Sequence, residues 1–405
     1  MGKVATEATL REGVEVLKVI AKSQINYFES YADIANIVKS GLAQEFFEIG
    51  DQIVTKFTKG TTEYDCPWDV VAFRDVELED GSTVHGMVIQ MHYASLDGVQ
   101  FDQNEAFYVV TDSPLVAGTY YITMGNAWGS NVVANKTYHF TLTQDVPVGG
   151  QLQIGTATAE TSNLPDTAPA NWRVRVYASA DTATPTEILT MTEGASGTSL
   201  GTLSSSTKYG VSGMNNMQRA GYGYNRWGQS ALRQYLNSDA TENDWWTPQN
   251  PYDRVPNQLA TIKAFKQGLP SAFVDIIKPV KVVTALNTVS DSEIGTTETT
   301  YDAFFPASLE EEYIVPQLSG VEGAYFPYWK NTLELDSPQA QGAAGTNANH
   351  IRFALENHSS AQTCRLRSAN RGYATYAWLV YPSGTASSGG YATTAYRFAP
   401  ACVIC

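Results

Sequence analysis

The residues of this chain best suited to chemistry lie near its end. Residues Ser368 to Pro400 read SANRGYATYAWLVYPSGTASSGGYATTAYRFAP, with no Lys, Glu, Gln, Met, Asp or His and only Arg371 and Arg397 as ionic groups. Tyrosine supplies large, rigid, amphipathic contact area at low entropic cost, and Ser, Thr and Gly add adaptable hydrogen bonding, the vocabulary of antibody combining loops. The chemistry of such a stretch is recognition rather than bond-making. The competing reading is a structural β-meander with surface tyrosines. Uncharged exposed aromatics weigh toward contact with a ligand.

A genetic regularity points the same way. Randomising the adenines of an AAC codon reaches residues that include Asn, Tyr, Ser, Thr, Gly, Ala, Leu, Val and Phe, but not Lys, Glu, Gln, Met or Trp. The segment obeys this filter except at Trp378, which becomes a fixed scaffold position.

Other groups offer less. The four cysteines, Cys66, Cys364, Cys402 and Cys405, are too few for an extracellular disulfide scaffold, and the five histidines are scattered without zinc-ligand spacing. Cys402-x-x-Cys405 ends the sequence without the following helix start that lowers a redox thiol's pKa. No GxSxG elbow or phosphate-cradling glycine loop occurs. Glu310, Glu311 and Glu312 read as a solvated acidic face. Trp227, Trp245, Trp246 and Trp329 read as core rather than sugar-stacking platforms. No catalytic residue, cofactor or metal is expected, and no compact acidic cluster suits calcium.

The formal charge of -15 disfavours nucleic acid and anionic membrane as partners. No stretch reaches the length of a membrane span, and the first residues lack a signal peptide's apolar core. Carbohydrate and protein ligands stay open.

At this point a family resemblance enters. RLRSANRGYATYAWLVYPSG and YRFAPACVI resemble the C-terminal hallmark of variable proteins of diversity-generating retroelements, notably a domain of uncharacterised function common in Gram-positive gut bacteria and their phages. EFFEIGDQIV, TYHFTLTQDVPVGGQL, NRWGQSALRQYLNS, WWTPQNPYDRVP and VKVVTALNTV are also similar to that family. The resemblance implies a C-type-lectin fold of the formylglycine-generating-enzyme subtype, whose fixed framework displays randomised side chains on one face. The framework positions would be Leu366, Arg367, Ser368, Trp378, Arg397, Ala399, Pro400, Ala401 and Cys402. The candidate diversified, ligand-contacting positions would be Asn370, Tyr373, Thr375, Tyr376, Leu379, Tyr381, Thr385, Ser387, Ser388, Tyr391, Thr393, Thr394 and Tyr396. Cys364-Arg365 departs from the aromatic that often precedes the family's Leu-Arg-Ser, which puts local packing of that strand in question.

The resemblance further implies a phage receptor-binding or tail-fibre protein. It would be made in the host cytoplasm, carried on the virion and favour a trimer. It would recognise a bacterial surface protein or glycan and meet other virion proteins through its N-terminal region. One alternative is a structural virion component, a decoration or baseplate protein without diversified binding. A third reading, an enzyme of the formylglycine-generating type, would need Cys364 and Cys402 as its reactive pair.

Several elements must position this segment. Apolar residues at three- and four-residue steps from Leu10 to Phe47 predict helices, giving a segment 1–45 for attachment or oligomerisation. Short alternating strands, with a hairpin turn at Asp80-Gly81, predict a β-sandwich or jelly roll over 46–193. GASGTSLGTLSSSTKYG reads as a linker or long surface loop. Residues 194–405, with helical pieces SALRQYLNS and AFKQGLPSAFVDII, are expected to form the lectin-like α+β domain, with its variable segment at 364–400. The fold class is multidomain α+β: helical segment, all-β sandwich, C-terminal C-type-lectin-like domain.

Overall fold

The computed structural model describes residues 30–105, 108–110, 114–124, 136–148, 150–156, 172–177, 187–203, 217–240, 244–250, 253–342 and 347–405. These form a β-rich, multidomain fold with several sheets and few, short helices.

Strand β1 (Gln52–Lys59) alternates strictly, burying Ile53, Thr55 and Phe57 while Gln52, Val54 and Lys56 face water, the period of a half-covered strand. It pairs antiparallel with β2 (Thr62–Glu77), which pairs in turn with β3 (Thr83–Met91). The hairpin foreseen at Asp80-Gly81 is present. Gly81 adopts φ +82°, a left-handed conformation natural to glycine, and the Asp80 carboxylate accepts from the Ser82 N–H at 2.9 Å.

The sheet continues with β22 (Pro400–Ile404) beside β3, and then β15 (Phe304–Pro306). Strands β1, β2 and β3 therefore share a sheet with β22, and the predicted 46–193 unit divides between two cores. The reason is burial on both faces. Val88 and Ile89 of β3 lie register-paired with Val403 and Cys402 of β22, and all four are fully buried.

The second core belongs to a true β-sandwich. One sheet has the order β10 (Glu187–Thr190), β9 (Trp172–Tyr177), β8 (Gln151–Thr156), β5 (Tyr108–Val110). The other runs β11 (Thr192–Glu193), β7 (Thr137–Leu142), β6 (Gly118–Met124), β12 (Thr198–Leu203). Leu152, Val174 and Val176 of the first pack with Ile122, Phe140 and Leu142 of the second. Residues 198–203, foreseen as linker, instead form β12, parallel to β6. Leu200 enters the sandwich core, so the sandwich extends past the predicted boundary at 194. Residues 204–210 of that stretch lie outside the described residues, as do residues 1–29 of the predicted helical segment.

The described end of that segment is helical. Helix α1 (Tyr31–Lys39) is capped by Ser30, whose N–H and hydroxyl both donate to the Asp33 carboxylate at 3.1 and 2.9 Å. Ile34, Ala35 and Val38 enter the main core, and Tyr31 meets Phe273 edge-on at 5.3 Å. Over residues 30–46, which also include α2 (Ala43–Phe46), the helices cover a core.

In the C-terminal half, α3 (Met217–Tyr222) precedes α4 (Ala231–Asn237), whose N-cap Ser230 accepts from the Arg233 N–H at 3.1 Å. AFKQGLPSAFVDII does not make one helix. It gives a single 3-10 turn, Phe265–Gly268, and α5 (Ser271–Val274). Pro270 interrupts the run, and Gly268 is pressed onto the Phe57 ring, which a Cβ there would approach to 2.4 Å. After β13 (Val280–Ala285), β14 (Thr297–Asp302) and α6 (Pro327–Leu333), the segment of interest forms its own five-stranded sheet. Its order is β20 (Ala386–Tyr391), β19 (Tyr376–Val380), β18 (Cys364–Ala369), β21 (Ala395–Phe398), β4 (Val99–Gln100), with β18 and β21 parallel.

Candidate ligand-binding face

The centre of this sheet is β18, every residue of which is buried. Leu366 joins Trp378, Val380, Ala386, Leu309 and Ile314 in an apolar cluster. Arg367 points to the other side. It pairs with Glu311 and donates to the Pro306 carbonyl at 3.1 Å and the Glu322 carbonyl at 2.6 Å. Ser368 donates to the Glu322 carboxylate at 2.6 Å and accepts from the Leu309 N–H at 2.9 Å.

The Glu310–Glu312 run is thus no solvated face. Glu311 and Glu312 are buried, Glu311 held by Arg367 and, at 3.1 Å, by Arg74. Burial raises the Glu311 pKa, but the two guanidinium charges outweigh it and leave the carboxyl below its usual range.

Arg365 resolves the Cys364-Arg365 departure. Its guanidinium is buried and donates to four main-chain carbonyls: Ala377 (3.0 Å), Gly390 (2.7 Å), Tyr391 (2.7 Å) and Thr394 (3.2 Å). It also lies 4.6 Å from the Tyr396 ring centre. Gly390 makes room for it, since a Cβ there would come within 2.4 Å of both the Arg365 and Leu379 side chains.

The loop between β18 and β19 is clamped in the same manner. The Asn225 amide nitrogen lies 3.1, 2.7 and 2.7 Å from the carbonyls of Asn370, Tyr373 and Tyr376. The Ala374 N–H donates to the Gln218 side chain at 2.8 Å, and the Arg371 carbonyl accepts from both the N–H and hydroxyl of Thr288 at 2.8 Å. Asn225 is itself oriented by the Asn287 amide at 2.9 Å, which also donates to Asp291 at 2.8 Å. Tyr224 donates to the other Asp291 oxygen. Burial pushes the Asp291 carboxyl up to about 6, against the lowering effect of the Tyr224 hydroxyl and the nearby arginines.

On this frame the aromatic rings come together. Tyr376 and Tyr391 are register partners across β19 and β20, their ring centres 4.7 Å apart. Tyr373 meets Tyr376 edge-on at 5.1 Å and is 43% exposed. On the far side of Tyr391, Tyr222 stacks at 4.0 Å and 16°. Burial, then these neighbours, push the phenols of Tyr376 and Tyr222 above their usual range, so they remain neutral hydrogen-bonding groups.

Of the thirteen sequence-predicted positions, Tyr373 is exposed. Tyr376, Tyr381, Thr385, Ser387, Ser388, Tyr391, Thr393, Thr394 and Tyr396 are half-buried, with part of each side chain at the surface. Three are not available to a ligand. Asn370 is 5% exposed, its side chain capping the loop through the Gly372 N–H at 2.9 Å. Thr375 and Leu379 are 0% exposed, Leu379 being packed at Gly390. Sequence reasoning missed Tyr222, Asn225, Gln218 and Arg365. Of these only Arg365, a charge beside the Leu-Arg-Ser run, carried a signal.

The four tryptophans are core, as expected. Trp227 donates to Asp302 at 2.8 Å, Trp245 to the Ile262 carbonyl at 3.0 Å and Trp329 to Gln90 at 3.0 Å, and Trp246 is buried. All four cysteines are buried and unpaired. Cys364 and Cys402 lie on strands of different sheets, and burial pushes the Cys364 thiol up to about 12 and that of Cys402 above its usual range. Among the described residues no group of three or more His, Cys, Asp or Glu side chains could hold a metal ion, and no helix is long and apolar enough to cross a membrane.

Taken together, a buried polar frame carries a clustered tyrosine face within a β-rich multidomain chain. Residues 203–405, half of the chain, match the family described as a domain of unknown function, DUF6273, and the chain belongs to that family. No curated protein and no solved structure matches it. The matched region ends in β22, whose neighbour β3 lies outside it.

Proposed function

We propose that this protein is a binding protein whose tyrosine face, on β19, β20 and the loop before them, recognises a bacterial surface ligand, protein or glycan, through diversified side chains. One observation carries the reading. The buried Arg365 and Asn225 hold residues 370–394 by main-chain carbonyls, seven in all, rather than by side chains. A backbone held this way keeps its course when the side chains above it change, which a diversified surface requires.

The tyrosine clustering and the neutrality of the face support a broad protein-like or glycan contact, weak per copy and strengthened by several copies on one particle. The buried, high-pKa thiols favour binding over the enzymatic reading, since a thiolate is the reactive form. The family resemblance of the C-terminal motifs supports a C-type-lectin-type fold and a receptor-binding role on a phage particle, as a trimer.

Sequencing the DNA beside the gene tests the reading. The expected result is a near-copy of the codons for 364–400, with adenines at the exposed and half-buried candidate positions, next to a reverse-transcriptase gene. A near-copy whose adenines fall on the buried β18 codons instead would overturn it.

A further inference from the structure

Tyr222 lies outside the segment whose composition drew attention, yet its ring is continuous with that segment's face. It stacks on Tyr391 at 4.0 Å and 16°, closer and flatter than the Tyr376–Tyr391 contact at 4.7 Å and 32°. The row therefore runs Tyr373, Tyr376, Tyr391, Tyr222.

The position of Tyr222 is set by main chain. Its carbonyl accepts from the Thr393 N–H at 3.2 Å, and the Gly223 N–H that follows donates to the Arg219 carbonyl at 2.9 Å. Gly223 holds φ +82°, and a Cβ there would meet the Asp102 and Gln103 carbonyls at 2.9 and 3.0 Å, so α3 is pinned to the body of the molecule. The ring is half-buried, part of it at the surface.

We propose that Tyr222 is a constant anchor of the binding face: a ring that stays in place while Tyr373, Tyr376 and Tyr391 vary around it, and that contacts whatever the face takes up. This rests on the reading of the face as a diversified binding surface. Tyrosine suits the role because it offers rigid area and a hydroxyl to many unrelated surfaces. The stacking also explains how a new side chain at 391 is accommodated, since Tyr222 presents it with a preformed flat wall.

The test needs no knowledge of the natural ligand. The full chain is displayed on yeast with positions 373, 376, 381, 391 and 396 randomised, and clones are selected on biotinylated lysozyme. In most recovered clones Tyr222→Ala should weaken lysozyme binding by about tenfold, the size of a hot-spot loss. Tyr222→Phe, which keeps the ring, should cost only about two- to fivefold. Melting temperatures should stay within about 2 °C of each parent, because the Thr393 bond uses the Tyr222 carbonyl. Should Tyr222→Ala impair folding, Tyr222→Leu refills the volume without the hydroxyl and is read in its place. Clones whose lysozyme affinity stays within about twofold after Tyr222→Ala or →Leu, while reversion of their selected residues abolishes binding, would overturn the anchor alone. A library that yields no lysozyme binders would overturn the reading beneath it.

Discussion

Strand β18 and the tyrosine row on β19 and β20 lie in one sheet, within a few residues of each other, and they invert the usual distribution of polarity. The charged side chains are inside: Arg365 and Arg367 are buried, one committed to backbone carbonyls and the other to Glu311 and three carbonyls. The bulky rings are at the surface, leaning on one another. The lesson is a division of labour. Ionic groups that cannot change without leaving a buried charge unpaired hold the frame, while the surface is made of groups whose loss costs only contact area.

This contrast can be broken or sharpened by experiment. The largest effect should come from Arg367→Ala, which strands the buried Glu311 with only the partly exposed Arg74 beside it. The expected loss is about 3–5 kcal/mol in chemical denaturation. A loss below about 1 kcal/mol would mean that the frame does not depend on this pair.

Next is pH. His350 is buried, its ring nitrogens each 2.8 Å from an oxygen, of the Gln339 side chain and the Glu312 carbonyl, and burial lowers its pKa from 6.5 to about 4. A depressed folded-state value gives stability that is complete above pH 6.5 and is lost as the pH falls toward 4, by at most about 3 kcal/mol. Denaturation at a series of pH values should show this component in the parent and not in His350→Gln. Identical slopes for the two would refute the assignment.

Asn225→Ala should cost about 1–3 kcal/mol, since it removes the donor shared by the Asn370, Tyr373 and Tyr376 carbonyls. Hydrogen exchange of residues 370–376 should rise with it. Unchanged exchange would mean that Gln218 and Thr288 suffice. Tyr373→Ala should be the mildest, below about 1 kcal/mol, as an exposed ring with one edge contact.

Some of this was legible in sequence. Alternation and a turn signal placed β2 and β3, and the absence of charge marked the tyrosine segment. Strand pairing between distant segments was not. Nothing local in GMVIQM or PACVI says that they are neighbours, because an apolar strand buried on both faces fits many partners. Charge was misread at Glu311 for the related reason that its partners, Arg74 and Arg367, are far away in the chain. Among the candidate positions, composition could not separate Tyr373 from Leu379. Both satisfy the codon filter, but only the register that sets Leu379 against Arg365 and beneath Gly390 buries it. Tyr222 was invisible because it joins the face through space.

The most direct measurement uses all 405 residues together, since β22 pairs with β3 in its sheet. Tyr373, Tyr376, Tyr381 and Tyr391 are changed together to Ala, and both thermal melting and adsorption to a panel of Gram-positive cells are recorded. The account predicts a melting temperature close to the parent's, with adsorption lost. A large fall in melting temperature, or adsorption that survives the loss of all four rings, would contradict it.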